Sequence, residues 1–100
     1  MAMTPEAKVK AKIKKILDAH DVYHFSPFQA GMGRAGIPDI IACFKSHFIG
    51  IEAKAGDNKP TLLQERELDK IRRNGGHAIV VNEDNLDTLE FLIKHLSGDK

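Results

Sequence analysis

Residues 39–44 (Asp-Ile-Ile-Ala-Cys-Phe) and 47–53 (His-Phe-Ile-Gly-Ile-Glu-Ala) are two β-rich runs separated only by Lys45-Ser46. Such a separation predicts a hairpin, although Lys-Ser lacks the Asn or Gly that two-residue turns favour. With 45 and 46 as the loop, Phe44 pairs with His47, and counting outward sets Asp39 opposite Glu52. Directly opposed residues share a face, and two-residue alternation puts Lys54 on the face of Glu52. The hairpin therefore gathers two carboxylates and an amine on one side of a sheet whose other residues read as core.

That convergence is costly unless something offsets it. Two carboxylates about 5 Å apart repel by roughly 3 kcal/mol at an effective dielectric of about 20. Lys54 relieves part of this, and a divalent cation would relieve more. A hard ion such as Mg²⁺ takes oxygen ligands, typically one or two carboxylates with waters and substrate phosphate. The arrangement reads as a metal site beside an ammonium, a combination suited to phosphodiester cleavage. Glu-x-Lys alone is more often a surface pair at a strand end, and Asp after Pro is often an ordinary turn residue. Their joint occurrence at a spacing that closes the hairpin favours the site.

Gly36-Ile37-Pro38-Asp39, Glu52-Ala53-Lys54 and Gln64 on the following helix resemble the PD-(D/E)xK nuclease superfamily. Within it the pattern is similar to the VRR-NUC branch, found as small stand-alone phage proteins and as the nuclease domain of larger repair enzymes. The likeness runs from about Glu6 to Val81. Each motif is weak alone; their order and spacing and the downstream glutamine make the signal specific. The resemblance implies an α/β, restriction-endonuclease-like mixed sheet flanked by helices. It also implies a metal-dependent DNA endonuclease using Mg²⁺ or Mn²⁺, in which Asp39, Glu52 and the Ala53 carbonyl hold the cation. Lys54 would position or activate the attacking water, Glu6 would complete the acidic cluster, and Gln64 would stand near the metal or water. Related stand-alone members further imply a homodimer resembling junction resolvases, acting on branched DNA such as four-way junctions.

The 100 residues suffice for one domain with a single core, spanning 1–100. No apolar stretch approaches membrane-spanning length and the N-terminus lacks a signal-peptide core, so a cytosolic location is expected. The single Cys43 lies in an apolar strand and reads as a small buried hydrophobe. A net charge of +1 does not by itself announce a nucleic-acid binder. Its distribution says more, because Lys8, Lys10, Lys12, Lys14 and Lys15 crowd one helix. That cluster is either a solvated face or a surface for phosphates, with Lys8, Lys12 and Lys15 as candidate DNA contacts.

The first helix begins at Thr4-Pro5, with Thr4 as cap and Val9, Ile13, Ile16 and Leu17 as its apolar stripe. Glu6 falls on that stripe, either as a first-turn acid complementing the helix dipole or as an inward carboxylate at the site. Residues 21–28 suggest a strand, and 29–36 form a loop containing Gly31, Gly33, Arg34 and Gly36. The loop is no P-loop, since the Gly-Lys-Ser/Thr ending is missing. Arg34 is a candidate phosphate contact, and Tyr23, His24 and Gln29 are candidates to line the same approach. A helix from about Thr61 to Arg73 has Leu63, Leu68 and Ile71 as its inner face, and Thr61 with Gln64 matches a capping box. That box and the site compete for one amide. Residues 77–82 read as a buried strand and about 85–96 as an amphipathic helix, giving the order α-β-β-β-α-β-α. The strands around 52 and 81 should be parallel, as in a βαβ unit.

The five histidines show no close pairing of the zinc-site kind, and no serine or cysteine nucleophile has a nearby base. Two other function classes compete with the nuclease reading. One is a non-catalytic nucleic-acid-binding or assembly module of the same fold, which has no need of juxtaposed carboxylates. The other is a metal-dependent hydrolase of a non-nucleic substrate, disfavoured by the lysine-rich helix and Arg34.

Overall fold

A computed structural model of the chain describes residues 3–28 and 34–98. The elements are α1 (Pro5–Ala19), β1 (Tyr23–Phe25), β2 (Ile40–Phe44), β3 (His47–Ala53), α2 (Leu62–Arg73), β4 (His77–Val81) and α3 (Leu86–Leu96), in the expected order. The four strands form one mixed sheet in the order β1-β2-β3-β4. β2 runs antiparallel to both β1 and β3, and β3 pairs with β4 in parallel. No helix is long and apolar enough to cross a membrane among the described residues.

The hairpin register is the one the two-residue loop dictates, with Phe44 opposite His47 and Ile40 opposite Ile51. Lys45 and Ser46 take φ of 50° and 68° to make the turn. Positive φ at both central positions is the geometry whose twist matches the flanking strands, but it is strained for side chains larger than glycine. The turn is thus imposed by the strands it joins rather than by its own sequence.

Strand alternation sorts the sheet into two faces. Ile40, Ala42, Phe44, Ile49, Ile51, Ala53 and Val81 point to one face, where Val9, Ile13 and Leu17 of α1 and Leu89 and Ile93 of α3 complete the core. On the opposite face a side chain at Gly50 would collide with Ile71 of α2 and crowd Pro38, so α2 and the turn before β2 close directly over β3. The inward residues of α2 are Gln64, Glu67, Leu68 and Ile71, at helical spacing. Leu63, expected on that face, is exposed; its backbone carbonyl packs against Gly36 instead. Gly36 has φ of 88° and no room for a Cβ, which locks the Gly36-Ile37-Pro38-Asp39 turn to the start of α2.

Because α2 lies over β3 and β4, the β1–β2 half of its face is left open by the described residues. Tyr23, Phe25 and Phe48 are exposed there, and so is Cys43, contrary to its expected burial. Cys43 sits between Tyr23 and Phe48 in register, on the part of the α2 face that α2 does not cover. β1 is also shorter than the 21–28 run suggested. Asp21 turns with φ of 56° before it, and Pro27 lacks the N–H a ladder needs. Both sheet edges are blunted: β1 is three residues long, and on β4 Arg72 and Asn85 donate side-chain hydrogen bonds to the carbonyls of Ala78 and Val80.

The strained turn gives a direct stability test. Ser46→Gly should stabilise the protein by about 1 kcal/mol, read from the urea midpoint at unchanged slope. A lower midpoint would contradict the assigned strain.

Candidate active site

One step beyond the Ile40–Ile51 pair, the hairpin sets Asp39 and Glu52 side by side at the end of the sheet. Asp39 Oδ2 accepts a hydrogen bond from the Ala53 N–H at 2.8 Å, so the ladder continues through a side chain where the strand itself has stopped. Glu52 is only 2% exposed and is the one buried charged residue among those described. Its Oε2 lies 3.8 Å from the Lys54 ammonium, and its Oε1 is buried without any hydrogen-bond partner. Lys54 is itself mostly buried, its N–H bonded to the Val81 carbonyl at 3.0 Å.

Desolvation is the main force on Glu52. Burial, first, and the neighbouring charge of Asp39 push its pKa up to about 8, with Lys54 pulling it down and Glu6 adding a further upward push. An unpartnered buried carboxyl oxygen costs folding free energy, and nothing in the packing uses it. A divalent cation fits this set: Asp39, Glu52 and the Ala53 carbonyl are oxygen donors of the type Mg²⁺ and Mn²⁺ prefer, and two carboxylates suffice. No group of three His, Cys, Asp or Glu side chains converges to hold a metal among the described residues.

Glu6 stands at the rim, half-buried on the first turn of α1, where its Oε2 is 4.0 Å from the Lys10 ammonium. Lys10 in turn lies 3.3 Å from Asp39 Oδ1. In the sequence Lys10 is one of five lysines on the helix, with nothing in composition to set it apart. The available signal was its position four residues after Glu6, which carries any inward displacement of Glu6 to Lys10 as well.

Gln64 completes the capping box, its Oε1 accepting from the Thr61 N–H at 2.8 Å while Thr61 Oγ1 accepts from the Gln64 N–H. Its oxygen is thereby committed to the helix, even though the residue faces the Gly36–Asp39 turn. Arg34 is pinned to Glu67 at 2.9 Å, a pairing that raises the guanidinium pKa further, and so stands beside α2 rather than with the carboxyls. Lys8, Lys12 and Lys15 are exposed along α1 and form no ion pair among the described residues. His24 bonds Asp18 at 2.7 Å, and Tyr23 belongs to the open sheet face. Gln29, Gly31 and Gly33 lie outside the described residues. His47 and His77, distant in sequence, meet at 3.2 Å where β3 and β4 begin.

The raised pKa of Glu52 has a sign that experiment can read. The folded state holds a proton that the unfolded chain releases near 4.5, so this contribution is full below that value and is lost as pH rises towards about 8. Metal-free protein should therefore lose stability across this window, by up to about 1.4 kcal/mol per pH unit from this group. Glu52→Gln, which cannot ionise, should flatten the slope in chelator-treated urea titrations; an unchanged slope would contradict the burial argument.

No protein-family model matches the chain, and no curated protein does. Solved structures do. A VRR_NUC domain superposes with a TM-score of 0.73 at 24% identity, covering 93% of this chain and 98% of that one. A VRR_NUC domain protein superposes with a TM-score of 0.71 at 21% identity, covering 98% of this chain and 93% of the other. The protein therefore has the fold of VRR_NUC domains over nearly its whole length.

Proposed function

We propose that the chain is a metal-dependent endonuclease that hydrolyses DNA phosphodiester bonds. The observation that carries this reading is Glu52: a buried carboxyl with an unpartnered oxygen, set against Asp39 and Lys54 in a fold shared with VRR_NUC domains. A Mg²⁺ or Mn²⁺ ion bound there would neutralise phosphate charge and lower the pKa of its water. Asp39, Glu52 and the Ala53 carbonyl are the donors that hold it, with Glu6 adding negative charge from the rim. Lys54, beside Glu52 just past the end of β3, stabilises the charge that grows on the reacting phosphate, which is where an ammonium contributes most. The Gln64 oxygen serves the helix cap, which leaves its amide nitrogen to face the substrate. Lys8, Lys12 and Lys15 supply an exposed basic face for the phosphate backbone, and Arg34 a further contact once it leaves Glu67.

The substrate is branched DNA, and the working form a homodimer. A chain of this length offers one site and one basic helix face, whereas a four-way junction presents two symmetry-related strands. A twofold pair matches that symmetry. The open half of the sheet, with Tyr23, Phe25 and Phe48 exposed, is the surface a second copy would cover. Light scattering should give twice the chain mass at micromolar concentration; a monomer with no junction preference would remove this part and leave the chemistry standing.

Single-turnover cleavage with Mn²⁺ on linear, flap and four-way-junction DNA tests the activity. Lys54→Ala should lower the cleavage rate by about 10²–10³ with DNA binding nearly unchanged, as for a group that acts on the transition state. Equal cleavage by the two proteins would refute its role.

A further inference from the structure

Every helix lysine from 8 to 15 is exposed except Lys10, whose side chain keeps only 35% of its surface. Its ammonium is turned towards the acidic pair, 3.3 Å from Asp39 Oδ1 and 4.0 Å from Glu6 Oε2. Asp39 Oδ2 is engaged with the Ala53 N–H, so Oδ1 is the oxygen left for an incoming ligand. Lys10 sits on that oxygen. The two carboxyls are thus flanked by two ammonium groups from different elements, Lys54 beside Glu52 and Lys10 beside Asp39.

The two ammoniums are not equivalent. Lys54 is fixed by its strand and lies deep, at 13% exposure, whereas Lys10 reaches in from α1 on a flexible stem. A cation that binds Asp39 must meet Lys10 at Oδ1, and like charges at that range repel. We propose that Lys10 is the resident counter-cation of Asp39, balancing the acidic pair in the metal-free protein and competing with the divalent ion for the same oxygen. This rests on the metal reading above. When Lys10 yields Oδ1, Glu6 one helical turn away remains its partner, so the ammonium is retained at the rim of the site rather than released. Lys10 is in this sense a positioning residue: it holds Asp39 in place until the ion arrives and sets the concentration at which the ion is taken up.

The test is Mn²⁺ calorimetry and thermal unfolding on the intact chain. Lys10→Met keeps the aliphatic stem and removes the charge. It should bind Mn²⁺ about tenfold more tightly than wild type. In chelator its unfolding midpoint should fall by several degrees, and Mn²⁺ should raise it by more than in wild type. Lys10→Arg, which keeps the charge, should stay near wild-type affinity. Lys14→Met, an exposed lysine on the same helix, makes the same change in net charge and should gain much less. Equal or weaker Mn²⁺ binding by Lys10→Met, or an equal gain in Lys14→Met, would overturn the competition. Absence of Mn²⁺ binding in wild type and variant alike would instead overturn the metal reading on which it rests.

Discussion

Glu52 is held where a carboxyl is least comfortable, buried in the sheet with one oxygen unpartnered and a second carboxyl beside it. Packing alone gives no reason for such a group, because a neutral or apolar residue in its place would remove the desolvation cost. The rest of the structure is arranged around keeping it there. The hairpin sets Asp39 across from it, Asp39 extends the ladder by accepting the Ala53 N–H, and the parallel pairing with β4 anchors Lys54 through Val81. α1 brings Glu6 and Lys10 to the same end of the sheet. Stability is given up at one point so that carboxyl oxygens stay concentrated at one point.

Gly36 shows how the outer parts of the fold serve that end. With positive φ and no space for a Cβ, it lets the turn before Asp39 dock on the N-terminus of α2. Gly50 does the same on β3, admitting Ile71 and Pro38 against the strand. The two close approaches place the turn, the helix and the hairpin in fixed relation, and the hydrogen bond from the Ala53 N–H then fixes the Asp39 carboxyl. Site geometry built on regular elements in this way is better defined than geometry built on loops.

The hairpin was legible in the sequence because a two-residue loop leaves one register, and Asp39 opposite Glu52 follows from counting. Element order was legible from hydrophobic periodicity and the caps at Thr4 and Thr61. What escaped was set by tertiary coverage. Whether Cys43 is buried depends on how far α2 reaches across the sheet, which no local pattern states. The inner stripe of α2 carries Gln64 and Glu67 because it faces a polar turn and Arg34, so apolar counting picked Leu63 instead. Lys10 was hidden among lysines that look alike in composition and differ only in which way their helix face turns.

On the proposed function, Asp39 and Glu52 together take one divalent ion, and this ion is the reason for the buried carboxyl. Titration of Mn²⁺ followed by the electron paramagnetic resonance signal of the free ion addresses it most directly. Wild type should remove one ion per chain from the free pool, and both Asp39→Asn and Glu52→Gln should lose that capacity while remaining folded. Undiminished Mn²⁺ uptake by either folded variant would contradict the account.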